Sequence, residues 1–190
     1  MPRQPEEEYG HLTQLRLLLE ELCCELCRFE HASPEQKRGE VRVEREFYLG
    51  KPGAFADIRV SPANAAPYCV EIKFGYPDEI LLRRIRRKYQ DSVPALADVR
   101  KIILVVDSEG RADWSRLEME LAKSLAPSLE LEVWNESRLV QLLNERFDTE
   151  IPAITPASLI DVRQSIDRAQ GLYAFGGGSA EEYTYEPLHA

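Results

Sequence analysis

The chain begins with a helical pattern of apolar residues between residues 6 and 30. These residues recur at steps of three and four: Leu12, Leu15, Leu19, Leu22, Leu26 and Phe29. This is the spacing of one face of an α-helix. The polar stretch that follows contains Pro34 and Gly39, which end the helix. The pattern predicts an amphipathic helix that covers one face of a core.

Three strand-like segments follow the helix. Residues 41–49 alternate between apolar and polar positions and end at a turn from Gly50 to Gly53. Residues 55–61 and 68–74 are rich in β-branched and aromatic side chains, and the loop 62–67 between them starts and ends with proline. Prolines at these positions mark a loop and not a continued ladder. We therefore predict a hairpin formed by the second and third strands.

Helices and strands alternate in the second half of the chain. We predict a helix over 78–90, a buried strand over 101–106, a helix over 112–125, a strand over 129–134 and a helix over 137–147. A hairpin followed by crossovers indicates an α/β fold over residues 1–150, with a mixed central sheet flanked by helices. Residues 151–190 contain prolines, a short helical pattern and Gly176–Gly178, and we predict an appendage or linker there.

Composition narrows the class of protein. The 190 residues are 44% hydrophobic, which excludes bulk disorder, and they carry a net charge of −9, which argues against a protein that coats nucleic acid over its whole surface. The sequence shows neither a signal peptide nor a membrane-spanning run, so we expect a cytoplasmic protein. Three of the four cysteines lie in the first predicted helix, where we expect reduced, buried thiols and not a zinc site.

The predicted hairpin brings charged residues together. If Ser61 lies opposite Pro67, Asp57 lies opposite Glu71 and Lys73 shares their face. The apolar neighbours point to the other side, so we expect the face with the charged residues to be solvated. Two carboxylates and the carbonyl of Ile72 form an all-oxygen site that suits Mg²⁺ or Mn²⁺. Lys73 would orient or deprotonate a water. The competing interpretation is a solvated sheet face with a cross-strand ion pair.

Asp57 followed by Glu71-Ile72-Lys73, in the order helix, three strands, helix, strand, resembles the PD-(D/E)xK nuclease superfamily. The resemblance covers residues 6 to about 134 and implies a restriction endonuclease-like α-β-β-β-α-β core. It implies that Asp57 and Glu71 bind a metal and that Lys73 is the catalytic lysine of a DNA endonuclease. Family members often add an acid from the first helix and a polar residue from the helix after the motif. Glu21 or Glu25 could supply the acid, and Glu25 is preferred. Gln90 or Arg87 could supply the polar residue. Ala56 stands where the family name has proline.

Basic residues on the predicted helix 78–90 are candidate phosphate contacts: Arg83, Arg84, Arg87 and Lys88. They could equally be solubilising or paired with nearby acids. A homodimer would allow the enzyme to cut both strands of its substrate.

The alternative function is a nuclease-like binding or regulatory module of a larger bacterial protein, without cleavage activity. Residues 158–177 resemble segments that join an amino-terminal module to a catalytic domain, such as a nucleotide cyclase. A partner domain would then follow residue 190.

Overall fold

A computed structural model describes residues 5–31, 41–73, 79–90, 93–106, 119–123, 125 and 129–175. The helices are α1 (Pro5–His31), α2 (Glu79–Gln90), α3 (Glu136–Phe147) and α4 (Pro156–Phe175), with a 3₁₀ turn at Val93–Leu96. The strands are β1 (Arg42–Lys51), β2 (Ala54–Ser61), β3 (Tyr68–Lys73), β4 (Lys101–Val106) and β5 (Glu130–Trp134). Of the helix predicted at 112–125, residues 119–123 are described and helical. No helix in these ranges is long and apolar enough to cross a membrane.

The five strands form one mixed sheet in the order β1-β2-β3-β4-β5. β1, β2 and β3 pair antiparallel, and β3, β4 and β5 pair parallel. The turn between β1 and β2 contains Pro52 and Gly53, and Gly53 has φ +74°, a conformation that glycine adopts without strain. The prediction of an α/β fold with a mixed central sheet is confirmed.

The β2–β3 hairpin has the register that the loop length predicted. Ile58 pairs with Val70, Arg59 with Cys69, and Val60 with Tyr68. Continuing this register by one position brings Asp57 opposite Glu71. The hairpin therefore delivers both carboxylates to the same end of β2 and β3.

Helices cover both faces of the sheet. On one face, α1, α3 and α4 pack on residues such as Ile58 and Ile72. On the other face, α2, the 3₁₀ turn and three leucines pack on Cys69, Leu104 and their neighbours; the leucines are Leu121, Leu125 and Leu129. The expectation that the face bearing Glu71 is solvated is wrong, because Glu71 has 0% exposure. The crossover after β3 places α2 on this face, while α1, α3 and α4 cover the other face, so positions of either parity are buried.

The stretch after residue 150 is part of the core. Leu159, Val162 and Ile166 lie on one stripe of α4 and are fully buried in the same cluster as α1. Asn144 of α3 anchors the connection, because its side chain exchanges two hydrogen bonds with the backbone of Ile151. The prediction of an appendage at 151–190 is therefore wrong for α4, which packs in the main core. Residues 176–190, including Gly176–Gly178, lie outside the described ranges.

All four cysteines are free and buried, and burial was the prediction for the three on the first helix. Cys23, Cys24 and Cys27 lie in the α1 core, whereas Cys69 lies in the core on the opposite face of the sheet. Burial raises the pKa of the Cys27 thiol to about 12. These thiols behave as small apolar side chains, and the sheet separates Cys69 from the other three.

Candidate functional site

The site is centred on the ammonium group of Lys73, at the end of β3. Nζ of Lys73 lies 2.8 Å from Oδ2 of Asp57 and 2.9 Å from Oε2 of Glu71. Oδ2 of Asp57 also accepts a hydrogen bond of 2.7 Å from the backbone N–H of Ile72. The structure thus brings together the three residues that the motif singled out.

A reversal in the β1–β2 ribbon places Asp57 at an edge between the two faces of the sheet. Arg45 points toward α1, yet Phe47, two positions later, packs in the core on the α2 face. Residues two apart on a regular strand share a face, so the ribbon turns over at Glu46, which has φ +49°. Asp57 lies across from this point on β2. Its carboxylate therefore reaches both Lys73 and, at 3.4 Å, Arg16 of α1.

α2 closes the site over Glu71. Oε1 of Glu71 accepts a hydrogen bond of 2.6 Å from the hydroxyl of Tyr89, which is itself fully buried. Nζ of Lys88 lies 2.5 Å from Oε1 and 2.7 Å from Oε2 of Glu71. A buried carboxylate is costly unless it is paired and hydrogen-bonded. Glu71 meets this requirement through two lysines and one tyrosine.

The charges of the cluster favour a protonated Lys73. Burial alone would lower the pKa of Lys73, but the adjacent carboxylates of Glu71 and Asp57 raise it above its ordinary value. Two carboxylates face three cationic groups, those of Lys73, Lys88 and Arg16. The cluster therefore carries a net positive charge when each group has its usual charge.

The acidic residues predicted from α1 lie in other ion pairs. Glu25 pairs with Arg28 on the same helix, and Glu21 lies 2.6 Å from Arg163 of α4. Sequence reasoning missed Glu20, which is buried and receives a hydrogen bond of 2.7 Å from Arg45. Glu20 lies one helical turn after Arg16. It shares a face of α1 with Cys23 and Cys27, which follow it by three and seven residues. An acid in register with two buried thiols was the signal that could have found it.

The residues predicted on α2 take different positions. Arg83, Arg84 and Arg87 are exposed, whereas Lys88 is directed at Glu71. The side chain of Gln90 lies outside the described part of the chain. Tyr89 fits the apolar stripe of this helix, yet its hydroxyl is part of the site. A tyrosine on a buried stripe needs a hydrogen-bond partner, and that requirement was the available signal.

The donor set fits a hard divalent ion with two carboxylate ligands. Asp57 and Glu71 supply carboxylate oxygens from adjacent strands, which is the ligand type that Mg²⁺ and Mn²⁺ prefer. Within the described residues, no group of three or more His, Cys, Asp or Glu side chains could hold a metal ion. Mg²⁺ commonly keeps several waters and binds through one or two carboxylates, so two ligands are compatible with it.

A separate open groove of about 400 Å³ runs along α3. It is lined by Glu136, Ser137, Val140, Gln141, Asn144, Glu145 and Pro152. None of the residues of the lysine-centred site contributes to it.

No protein-family model, curated protein or solved structure matches this chain. The geometry of β2, β3 and α2 is therefore the basis for a functional assignment.

Proposed function

We propose that this chain is a metal-dependent phosphodiesterase, a DNA endonuclease of the PD-(D/E)xK type that uses Mg²⁺ or Mn²⁺. The observation that supports this most is the convergence of Asp57 and Glu71 on Nζ of Lys73. An ordinary cross-strand ion pair on a solvated sheet face lies in water and contributes little to stability. Here Glu71 is fully buried, and the three groups meet at the end of a hairpin.

In this proposal each residue has a defined role. Asp57 and Glu71 hold the metal ion, and Ile72 offers its backbone carbonyl. When bound, the ion polarises the phosphate and lowers the pKa of a coordinated water. Lys73 lies within hydrogen-bond distance of both carboxylates, so its amine is placed to orient the attacking water or to accept its proton.

α2 supplies the contact with the substrate backbone. Its exposed guanidinium groups, those of Arg83, Arg84 and Arg87, lie on the helix that also carries Lys88 and Tyr89. Positive charge concentrated beside the site would offset the repulsion between DNA and a chain of net charge −9.

One observation favours the second candidate, a nuclease-like binding module without cleavage activity. Both oxygens of Glu71 already accept contacts from Lys88, and Tyr89 adds a third donor. A module that never bound metal would keep this arrangement closed. The two candidates therefore differ in whether Glu71 is ever released from its partners.

A cleavage assay on supercoiled plasmid and on single-stranded DNA tests the proposal. We expect nicking that requires Mg²⁺ or Mn²⁺ and falls by about 100-fold or more in Lys73→Met, as is common when a group that stabilises transition-state charge is removed.

Lys101→Met is the matched control. Lys101 forms a Lys–Glu pair of 3.0 Å with Glu132 on the neighbouring strand, and its side chain is exposed to a similar degree. It should cleave like the wild type. A folded wild-type protein that cuts neither substrate with either ion would refute the nuclease and leave the binding module.

A further inference from the structure

Lys88 forms ion pairs with the buried carboxylate of Glu71 and not with Asp57. Lys73 is held by Asp57 as well as by Glu71. Lys88 makes both of its ion-pair contacts with Glu71, and its ammonium also lies 6.0 Å from the centre of the Tyr89 ring. Its side chain keeps 18% exposure, whereas that of Glu71 has none. Part of the Lys88 side chain therefore contacts water, whereas the side chain of Glu71 does not.

A divalent ion at Glu71 cannot coexist with the present contacts of Lys88. The ammonium occupies both carboxylate oxygens, and an approaching metal would meet its positive charge at close range. A lysine head group on a flexible four-carbon stem can move to solvent while the stem stays packed. Tyr89, which is fully buried, would keep its hydrogen bond to Oε1 throughout.

We propose that Lys88 is a resident counter-cation of Glu71 that competes with the divalent metal. It neutralises the buried carboxylate while no metal is bound and gives up its contacts when the metal binds. The inference rests on the proposed function, because it takes Glu71 as a metal ligand. It assigns Lys88 to the control of metal affinity, and not to phosphate contact.

Calorimetric titration of the full chain with Mn²⁺ tests this directly, without any substrate. Lys88→Met should bind Mn²⁺ about tenfold more tightly than the wild type, since one charge-assisted hydrogen bond no longer has to be broken. Lys88→Arg should bind Mn²⁺ more weakly than the wild type. A guanidinium can donate two parallel hydrogen bonds to a carboxylate, so the metal would have to displace a stronger partner. Lys101→Met is the matched control. It removes the lysine of a Lys–Glu pair formed with Glu132, and its Mn²⁺ affinity should stay within about twofold of the wild type.

Thermal melting gives a second readout. Without metal, Lys88→Met should melt below the wild type, and saturating Mn²⁺ should raise its melting temperature by more, because tighter binding stabilises the folded state more.

Equal Mn²⁺ affinity in Lys88→Met and Lys101→Met would overturn the inference alone. If neither the wild type nor any variant bound Mn²⁺, or if Glu71→Gln bound it as well as the wild type, the metal site of the proposed function would be overturned too.

Discussion

The hydroxyl of Tyr89 offers a precise test of the buried site, independent of any activity. Tyr89→Phe removes one oxygen atom and leaves the ring, so it creates little space in the core. The lost contact is the 2.6 Å hydrogen bond to Oε1 of Glu71, between two fully buried side chains. The substitution therefore isolates one interaction with a buried carboxylate.

The magnitude follows from what Glu71 retains. Hydrogen bonds to charged groups contribute about 1.5–3 kcal/mol. Lys88 still contacts Oε1 after the substitution, so the oxygen keeps a partner and the lower end applies. We expect a loss of about 1.5 kcal/mol in the free energy of unfolding, which lowers the melting temperature by about 3–6 °C in a chain of this size.

Urea unfolding and calorimetry at neutral pH measure this loss. Tyr48→Phe is the control, since Tyr48 is 49% exposed and its substitution should change stability by less than about 0.5 kcal/mol. Burial and the charge of Glu71 raise the pKa of Tyr89 well above its ordinary value. The hydroxyl stays protonated, so the loss should not vary between about pH 6 and pH 9. Equal losses in the two variants would refute the reasoning.

Three further predictions concern the core, the acid limb of stability and the proposed DNA contact. Leu159→Ala should lower the free energy of unfolding, measured in urea, by about 2–5 kcal/mol. Ile160→Ala, at a position 43% exposed, should lower it by less than about 0.5 kcal/mol. Similar losses in the two variants would contradict the packing of α4. Desolvation raises the pKa of Glu132, but hydrogen bonds from the neighbouring indole and ammonium lower it below its usual 4.5. The stability that the charged Glu132 contributes is present above the pKa of the unfolded chain and is lost as the pH falls through the pKa of the folded chain. The difference in melting temperature between the wild type and Glu132→Gln should therefore close on acidification. A difference that persists at pH 3 would count against this prediction. Arg84→Ala and Arg87→Ala should each reduce the salt slope of DNA affinity, measured by fluorescence anisotropy, by about 0.9 per lost phosphate contact; an unchanged slope would exclude the contact.

The local pattern of the sequence was sufficient for the elements and for the register of the hairpin. Leucine spacing predicted α1, and the six-residue loop with its two prolines predicted how β2 pairs with β3. Because side chains alternate along a regular strand, that register predicted Asp57, Glu71 and Lys73 in one place, although the reversal at Glu46 sets Asp57 between the two faces. Residues close in sequence decide these features, so periodicity and loop length are enough to read them.

Only the tertiary structure decided what surrounds Glu71. Its solvent-free environment depends on where the crossover after β3 places α2, and that placement aims Lys88 and Tyr89 at the carboxylate. Only the tertiary structure also shows that α4 belongs to the core. Its sequence fits a short helix in a linker, but its apolar stripe packs in the same cluster as α1. Burial and ion pairing are set by segments far apart in the chain, and the one-dimensional pattern does not encode which of them meet.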